Sequence, residues 1–458
     1  MSEKKLSGSV DLLHGPILKN LVIFMIPIFI SNCFQQLYNA VDTALVGHVL
    51  GENSLAAVGA TASIFELLVG FAMSLSSGFS IVIARSYGSG DSKKMKKAVA
   101  GSIVIGVFTT LLITLVAAFA LKPLLILIDT PTEIMDEALS YINVIGYCVF
   151  VMFAYNLCSG ILRSIGNSVM PLVFLVFSSL LNIFLDYAFM KWCGMGVAGA
   201  AIATVLAQGI SAVLCVIYMI TKVKEIIPSK EDFKWDSELM KDLAGQGYAM
   251  AIMGSIVSIG SIILQSGING LGTKIIAGHV AARKVYALMN LPFMAMGVAL
   301  STFIGQNKGS DQGDRILQAM KDAYIFDVVF AVVCSLILWF SAPTLIYLIS
   351  GSTDETILSN GSKFLYVVGP FYAILGMLVQ TRFALQGLGS KILPLFSSVI
   401  ECVGKILFTM FLIPVFQYDA VIWCEPIIWC LMEIELIISF ECNPYVKETK
   451  KKMKLKKA

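Results

Sequence analysis

Residues 27–47 read PIFISNCFQQLYNAVDTALVG, an apolar stretch of helical length that carries Asn32, Gln35, Gln36 and Asn39 and reaches Asp42 near its end. A carboxylate inside a membrane-length segment costs about 3 kcal/mol on insertion scales, so it faces protein or water and has a function there. Pro27 lies fifteen residues earlier, where its missing N–H removes one backbone hydrogen bond and bends the helix. The stretch therefore predicts a hinge and an ion site on one helix.

The surrounding chain is of the same kind. Of its 458 residues 57% are hydrophobic and only 14% charged, with a mean hydropathy of +0.83. That composition excludes an ordinary soluble domain. Twelve apolar runs are each long enough to cross a hydrocarbon core of about 30 Å as a helix: 20–46, 54–84, 98–121, 138–161, 170–192, 195–220, 243–268, 276–305, 317–341, 363–386, 393–416 and 420–440. The first is interrupted by Pro27 and by polar residues and has no small-residue cleavage site, so it reads as a retained helix.

The chain repeats itself. Ala84-Arg-Ser-Tyr-Gly88, a loop leading to Ala98, recurs 221 residues later as Gly305-Gln-Asn-Lys-Gly309 leading to Ala319. Gly51 and Ala56 recur as Gly272 and Ala277 at the same offset, and Gly166 and Pro171 recur as Gly389 and Pro394 at 223. Each copy holds six spans, an even number, so both copies start from the same side. The expected fold is an all-α integral membrane protein with twelve transmembrane helices in two parallel six-helix lobes related by pseudo-twofold symmetry. The expected divisions are an N-terminal lobe over 1–220, a linker over 221–242, a C-terminal lobe over 243–441 and a basic tail over 442–458. A central cavity between such lobes suits an alternating-access carrier.

Most of the 33 Lys and Arg residues fall on one side if the N-terminus is cytoplasmic; Lys122, Lys191, Lys274 and Lys363 are the outer-loop exceptions. By the positive-inside rule both termini are then cytoplasmic in a multi-pass protein of the cell membrane. The lysine-rich tail reads as a topology determinant and a contact with anionic membrane lipid rather than as a nucleic-acid arm. The ten cysteines have no C-x-x-C pair or metal spacing and read as small apolar residues.

In the fifth run Asn182 and Asp186 are four apart and share a helix face. At 1.5 Å per residue Asp42 and Asp186 both lie about 8 Å below the same outer boundary, and Thr204 of the sixth run reaches a similar depth. Two carboxylates sharing a low-dielectric site repel one another, and Asn and Thr hydrogen-bond either charge state. Such a cluster takes up a proton or offers oxygens to a hard cation; the rival reading is that both acids only hydrogen-bond neighbouring helices. Tyr38, one turn before Asp42, is placed in the cavity. Glu401 and Lys405 read as a structural ion pair four apart. Glu66, Arg283, Asp327 and Glu425 lie inside spans without a partner that sequence identifies. No H-E-x-x-H, G-x-S-x-G or phosphate-loop motif occurs, so no catalytic residue, metal site or cofactor is expected, and transport must draw on an ion gradient.

Taken together, Gln35-Gln-Leu-Tyr-Asn-Ala-Val-Asp42, Leu55-Ala-Ala-Val-Gly59, Asn182-Ile-Phe-Leu-Asp186 and Gly305-Gln-Asn307 resemble the multidrug and toxic compound extrusion (MATE) family over about residues 15–440, and within it the DinF-like branch. The resemblance implies that Asp42, Asn182, Asp186 and Thr204 form the ion-coupling cluster, for H⁺ or Na⁺. It also implies that Pro27 is the bending proline and that Gln35 and Tyr38 touch drug; Asn39 is added as a substrate contact. The NorM-type branch also uses acids in spans seven and ten, whereas 243–268 and 363–386 contain no Asp or Glu here. The implied function is a monomeric antiporter that exports amphipathic, often cationic, drug-like compounds. A flippase for lipid-linked precursors is the rival; it wants several cations in its cavity, for which Arg283 and Lys284 are a thin basis.

Overall fold

The computed structural model describes residues 8–457; the first seven residues of the expected N-terminal lobe and the last of the tail lie outside it. Fifteen α-helices follow in order. They are α1 Ile17–Leu50, α2 Glu52–Gly88, α3 Ser92–Leu127, α4 Met135–Tyr147, α5 Val149–Ser164, α6 Val169–Tyr187, α7 Gly196–Lys222, α8 Ser237–Asn269, α9 Thr273–Gly309, α10 Gly313–Ser350, α11 Glu355–Val368, α12 Tyr372–Gly387, α13 Leu393–Leu407, α14 Ile413–Cys442 and α15 Pro444–Lys457. Ten stretches are long and apolar enough to span a membrane, or eleven when α4 and α5, bent by 47° at Cys148, count as one. This all-helical build follows from the medium, because in lipid every backbone N–H and C=O must find its partner within the chain.

The recurring glycines have a conformational reason. Gly51 and Gly272, which separate α1 from α2 and α8 from α9, have φ of +96° and +100°, and Gly166 and Gly389 have +86° and +78°. A side chain at such angles clashes with its own backbone, so only glycine turns the chain there without strain. The stretches Ala84–Gly88 and Gly305–Gly309, expected as loops, are instead the last turns of α2 and α9. Only three residues then connect to the next helix. At the first of these connections Asp91 caps α3 by accepting from Lys94 N at 2.9 Å.

The chain divides into two compact units. Among the described residues one comprises 8–11 and 26–251, the other 12–25 and 252–457. Each unit thus keeps the first part of a helix whose remainder belongs to the other. In the first unit the start of α8 is fastened by Arg85 to Asp242 at 3.0 Å and by Lys97 to Asp236 at 3.1 Å. The hydrogen bond from Lys97 holds the Asp236 carboxyl below the usual carboxylate range. In the second unit Asn307 Nδ2 donates to Leu12 O at 3.0 Å and Arg315 Nη1 to Gly15 O at 2.9 Å, fastening the segment that leads into α1.

Small residues set the helix spacing within each unit. A Cβ on Gly106 of α3 would lie 2.0 Å from Phe153 Cζ of α5. Gly106→Val should therefore overpack this contact at a cost of about 1–3 kcal/mol. The check is the unfolding midpoint of the detergent-solubilised protein, and a midpoint equal to wild type would show that the two helices do not pack as described.

Candidate functional site

Asn182 and Asp186 stand on one face near the end of α6, which closes in a π turn, Ala188–Trp192. Such a widened turn marks functional positions more often than ordinary helix does. The chain reverses through Gly194 and Gly196, both at positive φ, and α7 returns alongside α6. Asn182 Nδ2 donates to Asp186 Oδ1 at 3.3 Å and to Thr204 Oγ1 of α7 at 3.4 Å. From α1, the Asp42 carboxyl comes up beside that of Asp186 and the Tyr38 hydroxyl beside Thr204. Asp186 is fully enclosed and Asn182 1% exposed. An apolar cluster of the same unit, including Ile64, Leu121, Ile142 and Ala201 of α2, α3, α4 and α7, reaches Met190 in the π turn after Asp186.

The geometry has a chemical requirement. An ionised carboxylate only accepts hydrogen bonds, so two carboxyl groups side by side can bond each other only when one of them carries a proton. Three oxygens of the same cluster, Asp42 Oδ1, Asn182 Oδ1 and Asp186 Oδ2, are buried without a hydrogen-bond partner. Buried acceptors in this state are costly unless a donor or cation reaches them. A proton or a small cation would satisfy acceptors of this kind.

The five residues singled out on α1 do not all converge on the acids. Tyr38, expected as a drug contact, is drawn to the acids through Thr204. Gln35 is half-buried and Asn39 exposed, with no bond to the cluster. Pro27 lies inside α1; the carbonyl of Ile23 loses its donor to the proline ring, and the Pro27 carbonyl accepts from Ser31 Oγ at 2.8 Å. Tyr141 of α4 was not anticipated. It is buried, within electrostatic reach of Asp42, Tyr38 and Asp186. Its signal was position, since it shares the core face of α4 with Ala138 and Ile145.

Charges in the second unit mostly find partners. Arg283 Nη1 donates to both carboxylate oxygens of Glu425 at 2.7 Å and lies over the Tyr286 ring. Asp327 accepts from Gln380 Nε2 at 3.1 Å. Glu433, which sequence reasoning passed over, accepts from Thr381 Oγ1 at 3.4 Å. Glu66 is exposed on α2. Lys405 bonds Glu401 at 2.8 Å and Ser261 Oγ at 3.0 Å, with Arg382 3.8 Å from the same carboxylate. At the 223-residue offset of Gly166 and Gly389, Lys405 corresponds to Asn182. α13 also closes in a π turn, Phe408–Leu412.

The model of the MatE family matches the chain twice, over residues 27–188 and 249–411, so the second match starts 222 residues after the first. The chain is 28% identical to the probable multidrug resistance protein YpnP of Bacillus subtilis (strain 168), over 82% of this chain and 83% of that protein. It is 26% identical to the probable multidrug resistance protein NorM of Thermotoga maritima, over 84% and 82%. Its fold matches the outward-facing conformation of a multidrug resistance MATE family transporter of the MOP superfamily with a TM-score of 0.86 at 24% identity, covering 94% of this chain and 96% of that one. Two matches to one family model across most of a chain of membrane-spanning helices lead to one conclusion: the chain belongs to the MatE family of multidrug efflux transporters and is a transporter, not an enzyme.

Proposed function

We propose that the chain is a proton-coupled antiporter of the DinF-like kind that exports amphipathic, often cationic, organic compounds across the cell membrane. The juxtaposition of the Asp42 and Asp186 carboxyls carries this reading, because one proton would turn it into a hydrogen bond. Asn182 and Thr204 hold the acids in register, and Tyr38, Gln35 and Asn39 supply drug contacts on the same helix. Loss of the proton leaves two negative charges in apolar surroundings, which drives the carboxyls apart. α1 carries one of them, and Pro27 is where it can bend. Drug and proton then compete by favouring different bends of α1, and the coupling is reciprocal.

The three partnerless oxygens favour a second reading in which Na⁺ takes the proton's place. A flippase is less favoured, since Arg283 is committed to Glu425 and not available to a pyrophosphate.

Further parts of the proposal are twelve spans in two parallel lobes, 1–220 and 243–441, joined by a linker over 221–242, with both termini and the 442–458 tail cytoplasmic. The twelfth span is supported by Gln417, whose φ of 52° and ψ of −132° break the 50-residue stretch Leu393–Cys442. An unbroken helix of that length would run about 75 Å, far more than a bilayer needs. The duplicated family match and the even number of spans per copy support the parallel arrangement. The protein is proposed to act as a monomer.

Inverted vesicles energised separately by a pH difference and by a sodium difference test the proposal with a fluorescent organic cation. Transport that follows the pH difference is expected. Transport that follows sodium alone at clamped pH would replace the proton, and transport with neither would end the antiport reading.

A further inference from the structure

The strip formed by Leu317, Lys321, Tyr324, Ile325 and Val328 is one face of α10, because the residues are spaced by three and four. Together with Ile437, Phe440 and Glu441 near the end of α14 and Lys450 of α15, it lines a groove of about 540 Å³, a volume within the roughly 300–1,000 Å³ of small-molecule sites. Ile325, Val328 and Val329 are exposed along it. From Leu317 to Val329 the groove extends about 18 Å along the helix. Its floor is apolar throughout, and its ionic groups, Lys321, Glu441 and Lys450, sit at the end where α14 gives way to α15.

The basic helix above that end is two-faced. Lys452 and Lys456 pair with Asp311, Glu448 and Asp314. Lys447, Lys450, Lys451 and Lys454 recur at three and four and share the other face, the one from which Lys450 reaches the groove. Of these four only Lys450 meets a carboxylate among the described residues, Glu441 at 2.5 Å. Lys321 has no acidic partner there either. Cations outnumber acids at the mouth of an apolar slot that opens along a membrane-embedded helix.

We propose that this groove binds an anionic diacyl phospholipid, its acyl chain against α10 and α14 and its phosphate among Lys321, Lys450 and the lysine face of α15. A chain in the slot is shielded without needing any hydrogen bond, and lysines at headgroup depth extend to a phosphate while their stems stay on apolar surface. An organic cation, the other amphipathic candidate, is repelled by the same lysines. The proposal requires only that the chain lies in a membrane, so it stands or falls separately from proton coupling.

Native mass spectrometry of the full chain in detergent, titrated with phosphatidylglycerol and separately with phosphatidylcholine of the same chains, tests it. Each lysine near an anionic surface contributes about a fivefold preference, so phosphatidylglycerol should bind at least about fivefold more tightly. Lys321→Gln with Lys451→Gln should erase most of that preference while phosphatidylcholine still binds. Val329→Trp, which fills the slot, should weaken both lipids. Equal binding of the two lipids by the unaltered protein would overturn the proposal. So would an unchanged preference in the lysine variant, or full competition by glycerophosphoglycerol, which has the headgroup but no chains.

Discussion

Asp42→Asn should reduce gradient-driven efflux to the background of empty vesicles while the protein still folds and inserts. The substitution keeps the shape of a neutral carboxyl group and gives the side chain an N–H that can donate to Asp186, so the stability change should stay within about 1 kcal/mol. What it removes is the second titrating group of the pair: an amide neither gains nor loses a proton, and no electrostatic repulsion is left to separate α1 from α6. Equilibrium drug binding should persist. Efflux and binding measured on the same purified variant decide the matter, and normal coupled efflux would refute the mechanism, because Asp186 has no other carboxyl at hydrogen-bonding distance in this cluster.

Glu401→Gln is expected to have the largest effect on stability. The carboxylate of Glu401 neutralises Lys405, whose side chain is 4% exposed, and faces Arg382 as well. Removing one partner of a buried pair leaves an uncompensated charge and costs about 3–5 kcal/mol. The unfolding midpoint in detergent should fall markedly, and Glu401→Gln combined with Lys405→Met should restore most of it, since two neutral groups of similar volume need no countercharge. A single variant as stable as wild type would show that water already solvates Lys405.

The membrane helices were legible in the sequence because lipid imposes a length and a composition on each of them. The acids were legible for the same reason: Asp42 and Asp186 stand out where charge is expensive. Tertiary pairing was not. Arg283 and Glu425 are 142 residues apart and meet only because the fold brings their side chains together, so neither carries a local sign of the other. Tyr141 was hidden because a tyrosine in an apolar run is ordinary, and only the fold shows which face it turns inward. The loop reading of Ala84–Gly88 failed because Arg85 and two glycines look like a helix stop; Arg85 instead finds Asp242 and α2 continues past it. Pro27 has no counterpart in the second copy, where Ala249 stands 222 residues later.

Lys405 has a consequence for voltage. An ammonium fixed to its own helix, at the position that Asn182 holds in the first copy, is a countercharge that never leaves. On the proton coupling proposed above, the acid pair of α1 and α6 loads one mobile charge, and each cycle carries one elementary charge inward. Against a monovalent organic cation moving outward the net charge crossing the membrane is zero. A membrane potential, worth about 2.3 kcal/mol per charge per 100 mV, then does no work on such a cycle. Neutral compounds would leave under the full proton-motive force, and singly charged ones under the pH difference alone.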